Sequence, residues 1–352
     1  MSEDSLAPKT AEKLGSASLD QWRGLALIFV LINHGLHFTD RVNGFGRVGV
    51  NLFFFISGIL VFRSLSRSRA TSNWQKSCSF WWRRLRRLYP ALLAYVFTML
   101  LVTSLLGRFH VFQSEADLSS YLQCIPFALT YLLNYPPIPP PLSLQHLWSL
   151  GCEMQFYLLA PVLWMIAGTN EAKKFGVFIL TLAVLLTLGL AQPFLNYGKY
   201  SFEFAVWPMM LGFFCEYRRE WFAKFPPLLV IPMIWISFIA CGSALIAMLF
   251  GFEVKLVVIA IGALLLLPCF LTYRFGLAIP GRIGHGLEWL GTRTYSIYLW
   301  QQPFALCNFL PNFLHPAGAL IAIWLGGLWF RWFEFPFLSS ARQRNERARE
   351  IS

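Results

Sequence analysis

Residues 22–37 read WRGLALIFVLINHGLH, an apolar stretch that begins next to an arginine and contains a histidine. Arg23 and His34 are eleven positions apart. On an α-helix they therefore lie on nearly the same face, ~16 Å apart along the axis. Ionisable groups inside a bilayer are costly and usually functional, so a surface arginine aligned with a deep imidazole indicates a site. A histidine that only hydrogen-bonds a neighbouring helix is the alternative, and this stretch alone does not decide between them.

The composition predicts a polytopic membrane protein. Of the 352 residues, 57% are hydrophobic and only 13% are charged, and the mean hydropathy is +0.55. Soluble domains carry about 25% charged residues. The first twenty residues are polar and lack the apolar core of a signal peptide, so we expect the first span to direct insertion. We predict an all-α transmembrane domain at 21–338, between cytoplasmic tails at 1–20 and 339–352.

Charge and cysteine content exclude two other classes of protein. The net charge of +12 is typical of nucleic-acid binding in a soluble protein, but here the basic residues lie between apolar spans, where topology explains them. The seven cysteines are scattered and form no CxxC pair. We therefore expect no bound metal, no disulfide framework and no nucleic-acid partner.

Loop charges orient the spans. Residues 63–87 contain eight basic side chains and no acid, so this loop is predicted to be cytoplasmic. A consistent arrangement has ten spans and both termini in the cytoplasm. In it, the apolar stretch 119–135 is an outer re-entrant or interfacial segment, because a full crossing would invert every later span. The predicted spans are 22–38, 47–62, 88–106, 146–167, 175–190, 204–215, 229–249, 256–272, 287–310 and 316–335.

A basic motif, FWWRRLRRLYP, occupies residues 80–90. Its arginines Arg83, Arg84, Arg86 and Arg87 lie at the cytoplasmic start of the third predicted span. Guanidinium groups bind phosphate oxygens through two parallel hydrogen bonds, which favours a phosphate clamp. The alternative is ordinary positive-inside topology with aromatic anchoring.

Glu153 is an acid about seven residues, or ~10 Å, inside the outer end of the span 146–167. A carboxylate at that depth needs a partner, and His34 is a candidate. Such a pair would hold the imidazole in one tautomer and stabilise its protonated form. His34 would then act as a general base toward a hydroxyl. Asn33 lies beside it, and His37 is assigned a structural or interfacial role.

Several stretches, taken together and in order, resemble the acyltransferase-3 family of bacterial membrane proteins, which O-acylate extracytoplasmic glycans. Arg23 and His34 match its arginine–ten residues–histidine motif. The similarity runs from about residue 19 to 338. The other matching stretches are GVNLFFFISGIL (49–60), RRLRRLYP (83–90), QHLWSLGCEMQFYLL (145–159), LGTRTYSIYLWQQP (290–303) and FEFPF (333–337).

The resemblance implies an acyl-CoA donor, usually acetyl-CoA, on the cytoplasmic side of a bacterial inner membrane. It implies that Arg23, Arg84 and Arg87 bind the phosphates of coenzyme A. We expect the neighbouring Arg83 to bind them as well. It makes His34 the essential catalytic residue, and we predict that Glu153 orients it.

The acceptor implied by the resemblance is a hydroxyl of an extracytoplasmic or lipid-linked saccharide, such as an envelope polysaccharide or lipopolysaccharide. We expect Asn33, Trp148 and Tyr295 to contact it. Direct transfer is favoured over a covalent intermediate because no outward-facing serine or cysteine stands out. A non-catalytic transporter or flippase, and an acceptor that is a small lipid or macrolide, are the alternatives. The sequence leaves monomer and homodimer open.

Four residues depart from the family's motifs and bear on acceptor choice. Asn51 replaces an aspartate, Met154 a second glutamate, Gln301 a histidine and Phe335 a basic residue.

Overall fold

The computed structural model describes residues 6–35, 45–68, 72–106, 118–192, 200–249, 255–305 and 315–338. All regular structure in these ranges is helical, which confirms the all-α prediction. His37 and the tail 339–352 lie outside the described residues. The helices are α1 (Leu6–Gly35), α2 (Phe45–Ser66), α3 (Asn73–Leu106), α4 (Leu118–Leu129), α5 (Leu142–Gln145), α6 (Trp148–Ala167), α7 (Glu171–Ala191), α8 (Phe202–Ala205), α9 (Trp207–Tyr217), α10 (Val230–Leu249), α11 (Lys255–Phe275), α12 (Gly281–Thr292), α13 (Thr294–Ala305) and α14 (His315–Trp329), which continues into a π-helical turn, Phe330–Glu334.

Among the described residues, four helical segments are long and apolar enough to cross a membrane, and they are Gly46–Ser66, Asn73–Leu105, Leu142–Ala167 and Glu171–Ala191. They support a membrane protein, and its multi-pass arrangement stays a prediction. The ten-span arrangement and the cytoplasmic termini remain predictions.

The chain divides into two compact units. The first comprises Met1–Ser68 and Val162–Thr294, and the second comprises Arg69–Pro161 and Tyr295–Ser352. The boundary between them falls within α6.

In the first unit, α1 packs against α2, α11 and α12, and α2 packs against α9. Small residues allow these close approaches, as is common between membrane helices. A Cβ added to Gly24 would lie 2.1 Å from the carbonyl oxygen of Leu287 in α12, and one on Gly58 would lie 1.9 Å from that of Met209 in α9. No larger side chain fits at either position without moving the backbone.

Polar contacts fix α1 within this unit. The indole Nε1 of Trp22 donates to Thr272 Oγ1 at 2.7 Å. The Gln21 side chain donates to the carbonyl of Ile279 at 3.0 Å and accepts from its backbone N–H at 2.8 Å. These buried contacts hold α1 in one rotational setting.

In the second unit, α3 packs against α4 and the π-helical turn. The Tyr121 hydroxyl of α4 donates to the carbonyl of Val96 at 3.0 Å, and Trp329 Nε1 donates to the carbonyl of Ala91 at 3.1 Å. Helix α4 has twelve residues. Its rise of ~18 Å is less than the ~30 Å hydrocarbon core, and the re-entrant or interfacial position of 119–135 stays a prediction.

Two predicted spans differ from the helices that contain them. Helix α3 begins at Asn73, before the predicted span 88–106, because hydropathy detects only its apolar part. The basic motif is therefore helical. The predicted span 287–310 is divided at Arg293 between α12 and α13. The Thr294 hydroxyl donates to the carbonyls of Leu290 at 3.1 Å and Gly291 at 2.8 Å, which satisfies groups at the end of α12.

Candidate active site

Helix α1 carries both residues of the predicted motif without interruption. Arg23 and His34 therefore share a face, as predicted. Both side chains are half-buried. The contacts of Gln21 and Trp22 fix the rotation of α1. They therefore determine on which side of the helix both Arg23 and His34 lie.

Asn33 lies next to His34, and its Oδ1 is buried with no hydrogen-bond partner in the part of the chain that the structure describes. The first turn of α2 lies close to this side chain, since a Cβ added to Gly46 would lie 3.0 Å from Asn33 Cγ. An unpaired carbonyl oxygen held in this way can accept a hydrogen bond from a hydroxyl. The first unit therefore places an acceptor atom one residue from the predicted base.

Arg23 makes one ion pair within the described ranges. Its Nη1 lies 3.6 Å from Asp20 Oδ1, and the two side chains are 19% and 25% exposed. A half-buried pair with a separation this long contributes little to stability. The guanidinium can therefore bind a phosphate without the loss of a strong internal contact.

The arginines of the basic motif differ in their surroundings. Arg83 is exposed, whereas Arg84 is half-buried, with its guanidinium 4.7 Å from the ring centroid of Tyr157 and 5.4 Å from that of Phe80. Arg86 lies 6.0 Å from the ring of Trp82. Cation–π contacts leave the N–H edges of a guanidinium available for anions.

Arg87 is held by a carboxylate of the second unit. Its Nε and Nη2 donate to Glu334 Oε1 at 3.0 and 2.9 Å. The other oxygen, Oε2, accepts from the Ser296 hydroxyl at 3.0 Å. Glu334 is fully buried on the π-helical turn. This ion pair joins the basic motif to the closing FEFPF stretch.

Glu153 has a hydroxyl partner on its own helix. The Tyr157 hydroxyl, one turn later in α6, donates to Glu153 Oε1. The carbonyl of Tyr157 accepts from Trp81 Nε1 at 2.9 Å. Arg84, above the Tyr157 ring, thus belongs to the same group of side chains as Glu153. The predicted pairing of Glu153 with His34 remains a prediction.

Of the predicted acceptor contacts in the second unit, Tyr295 is buried and its hydroxyl donates to the carbonyl of Leu88 at 2.7 Å. It fixes α13 against α3. Trp148 is half-buried at the start of α6. One residue further, Ser149 Oγ lies 2.8 Å from the Tyr298 hydroxyl.

Sequence reasoning missed Glu334 and Ser296, because the stretches 290–303 and 333–337 entered it only as matches to the family's motifs and neither residue was given a role. A signal was present, since Glu334 is an isolated acid in an apolar segment and such an acid needs a partner. No group of three His, Cys, Asp or Glu side chains that could hold a metal occurs among the described residues.

Comparison with known proteins agrees with these motifs. A family model described as an acyltransferase domain, acyltransferase-3, matches residues 16–339. A putative peptidoglycan O-acetyltransferase of Bacillus subtilis is 26% identical over 81% of this chain and 48% of its own length. The peptidoglycan O-acetyltransferase OatA of Listeria monocytogenes is 26% identical over 81% of this chain and 49% of its own length.

A putative O-acetyltransferase of Staphylococcus aureus is 30% identical over 49% of this chain and 28% of its own length. The chain spans about half the length, or less, of these curated relatives. No solved structure matches it.

Proposed function

The chain belongs to the acyltransferase-3 family, and from this premise we propose that it is a membrane O-acetyltransferase. In this proposal it moves an acetyl group from cytoplasmic acetyl-CoA to a hydroxyl of an extracytoplasmic or lipid-linked saccharide. The observation that carries the proposal is the continuous helix α1, on which Arg23 and His34 share a face. The names of the relatives, which are O-acetyltransferases, support the reaction class.

The proposed acceptor is a glycan of the cell envelope. Two of the relatives are named for peptidoglycan. We place this chain in the inner membrane of a bacterium, with the acceptor approaching from the outer side. Asn33 supports this role because its buried Oδ1 can accept a hydrogen bond from a sugar hydroxyl next to His34.

His34 is the proposed general base. It takes the proton of the acceptor hydroxyl while the hydroxyl oxygen forms a bond to the thioester carbonyl carbon. The carbon–sulfur bond then breaks, and His34 returns the proton to the departing sulfur, which leaves an acetyl ester and a thiol. General base catalysis of this kind contributes about 10²- to 10⁴-fold to a rate. Glu153 is proposed to orient the imidazole.

Arg23, Arg83 and Arg84 are the proposed contacts of the coenzyme's phosphates. Arg83 is exposed, and Arg84 is held from the ring side by Tyr157 and Phe80, so the N–H edges of Arg84 can face an anion. Arg87 differs, since Glu334 occupies its Nε and Nη2. We propose that Arg87 mainly positions α3 and offers the anion only those N–H groups that Glu334 does not use.

The proposal is tested by label transfer in inverted membrane vesicles that contain the full chain. Vesicles receive acetyl-CoA labelled in the acetyl group, and the glycan, lipid-linked sugar and lipid fractions are separated. Label in a saccharide fraction, absent from vesicles without the protein, supports the proposal and identifies the acceptor class. Label in no envelope fraction, or a substrate that crosses the membrane unmodified, contradicts it and favours a transporter.

A further inference from the structure

Trp82 is an exposed indole in the middle of the basic motif. The residue is 62% exposed, whereas the preceding Phe80 is buried and Trp81 is half-buried. Six residues, or ~9 Å of helix, separate Trp82 from the predicted start of the span at Leu88. The loop charges assign this end of α3 to the cytoplasm. The motif thus presents a large aromatic face on the side where the donor is proposed to bind.

The motif has two different sides. On one side, Phe80 and Arg84 lie against the ring of Tyr157, at 5.8 and 4.7 Å from its centroid. Trp81 Nε1 donates to the carbonyl of Tyr157 at 2.9 Å. Trp82 projects from the opposite side to Arg84, because residues two positions apart are ~200° apart around a helix. The contacts with α6 therefore fix this part of α3 in rotation and leave the indole of Trp82 accessible.

Arginines border the exposed indole. Arg86 follows one turn later, on the same side of the helix, and its guanidinium carbon lies 6.0 Å from the centroid of the Trp82 ring. Arg83, next to Trp82 in the chain, is exposed. Residues 73–87 contain five basic side chains and no acid. An aromatic face next to guanidinium groups combines the two chemistries that bind a nucleotide, since its base stacks on aromatic rings and its phosphates bind cations.

We propose that Trp82 is the stacking surface for the adenine base of the acyl donor, and that Arg83 and Arg86 beside it bind phosphates of the same nucleotide. Adenine is a flat ring system of about the size of an indole, so an offset stack covers both. Coenzyme A carries phosphates on the ribose next to its adenine. Base and anions are therefore neighbours in the ligand, as the indole and the guanidinium groups are in the motif.

The choice of ligand rests on the proposed function, because the donor is taken to be acetyl-CoA. A second explanation of Trp82 is an anchor at the membrane surface, where tryptophan is enriched. Trp74 separates the two explanations. It lies two turns earlier in α3, is 61% exposed and contacts the Trp81 ring edge-to-face at 6.1 Å. If both indoles are only anchors, replacing either of them has the same effect on donor binding.

The experiment compares two donors that share the thioester and differ in the nucleotide. The purified full chain is titrated with acetyl-CoA and with acetyl-phosphopantetheine, which lacks the adenosine and its phosphates. Isothermal titration calorimetry measures the Kd of each donor without the need for turnover. The variants are Trp82→Ala, Trp82→Phe and the matched control Trp74→Ala.

The proposal predicts that Trp82→Ala binds acetyl-CoA about 5- to 150-fold more weakly than wild type, which is the range for the loss of one base–aromatic stack. Its Kd for acetyl-phosphopantetheine should equal that of wild type. Trp82→Phe keeps an aromatic face and should retain most of the affinity. Trp74→Ala should bind both donors as wild type does. A side chain that only anchors the helix does not discriminate between the two donors.

Equal affinities of Trp82→Ala and wild type for acetyl-CoA would overturn the proposal and leave Trp82 as a membrane anchor. An equal loss of affinity for both donors would also overturn it, because the substitution would then act on the shared part of the ligand or on the fold. Either result in a protein that transfers acetyl contradicts only this inference. Binding that depends on Trp82 without any acetyl transfer contradicts only the proposed function. A wild-type protein that does not bind acetyl-CoA would overturn both.

Discussion

Arg87 and Glu334 form an ion pair in which two guanidinium N–H groups, 3.0 and 2.9 Å away, share one carboxylate oxygen. The carboxylate is fully buried and the Arg87 side chain is 22% exposed. Ser296 completes the pair by donating to the second oxygen. The residues are 247 positions apart, so this contact ties the basic motif on α3 to the end of the described chain. Arg87 is therefore first of all a residue that maintains the fold of the second unit.

Replacing Glu334 by alanine should destabilise the protein strongly, because Arg87 would keep its charge in a site that no longer compensates it. Loss of one partner of a buried ion pair costs about 3–5 kcal/mol. Thermal unfolding of the purified protein measures the effect. The control is Glu171→Ala, which removes an exposed pair with Lys174 and should change Tm little. Similar Tm values for the two variants would contradict the structural role of Glu334.

The double variant Arg87→Met/Glu334→Leu should recover most of the stability that Glu334→Ala loses. Apolar side chains of similar volume often replace a buried ion pair without loss of stability. The same unfolding measurement checks this. A double variant no more stable than Glu334→Ala would show that the pair is not the reason for the loss.

Arg84→Ala should mainly weaken coenzyme binding, whereas Arg87→Ala should mainly lower the stability of the fold. Arg84 contacts rings through its face, so its removal should leave Tm nearly unchanged and raise the KM for acetyl-CoA about tenfold, the loss of one charge-assisted hydrogen bond. Arg87→Ala should lower Tm. The two variants are compared by unfolding and by initial rates against acetyl-CoA concentration. An Arg84→Ala protein with an unchanged KM would remove that residue from the phosphate site.

Gly46→Ala should lower the rate of transfer to the acceptor without unfolding the first unit. Its new Cβ would lie 3.0 Å from Asn33 Cγ, so the amide next to His34 must shift. We expect kcat/KM for the acceptor to fall several-fold, because a misplaced hydrogen bond weakens transition-state binding by roughly 1 kcal/mol. Gly176→Ala in α7 is the matched control, since its Cβ would meet nothing within 4 Å. Equal activities of the two variants would contradict the role of Asn33.

The part of the site on α1 could be predicted from the sequence because it depends on one helix. An apolar stretch with the period of an α-helix determines that Arg23 and His34 share a face, and no tertiary contact is needed. The all-α class follows in the same way from composition and the length of the apolar runs.

The partner of Arg87 could not be predicted, because the choice of Glu334 over Glu153 depends on how distant segments pack. The break at Arg293 was also missed, since the hydrophobic stretch was interpreted as one span through it. That the Gln301 amide is buried without a hydrogen-bond partner among the described residues is likewise visible only in the structure.

The measurement that tests the proposed mechanism most directly is acetyl transfer by His34→Gln, compared with wild type and with His285→Ala. His285 is an exposed histidine of α12 whose Nδ1 bonds the carbonyl of Gly281 in its own helix, so its loss should leave the rate near that of wild type. With His34 as general base, His34→Gln should keep its Tm and transfer labelled acetyl about 10²- to 10⁴-fold more slowly. A folded His34→Gln protein that transfers acetyl within about twofold of wild type would contradict the mechanism, since general-base catalysis contributes far more than this.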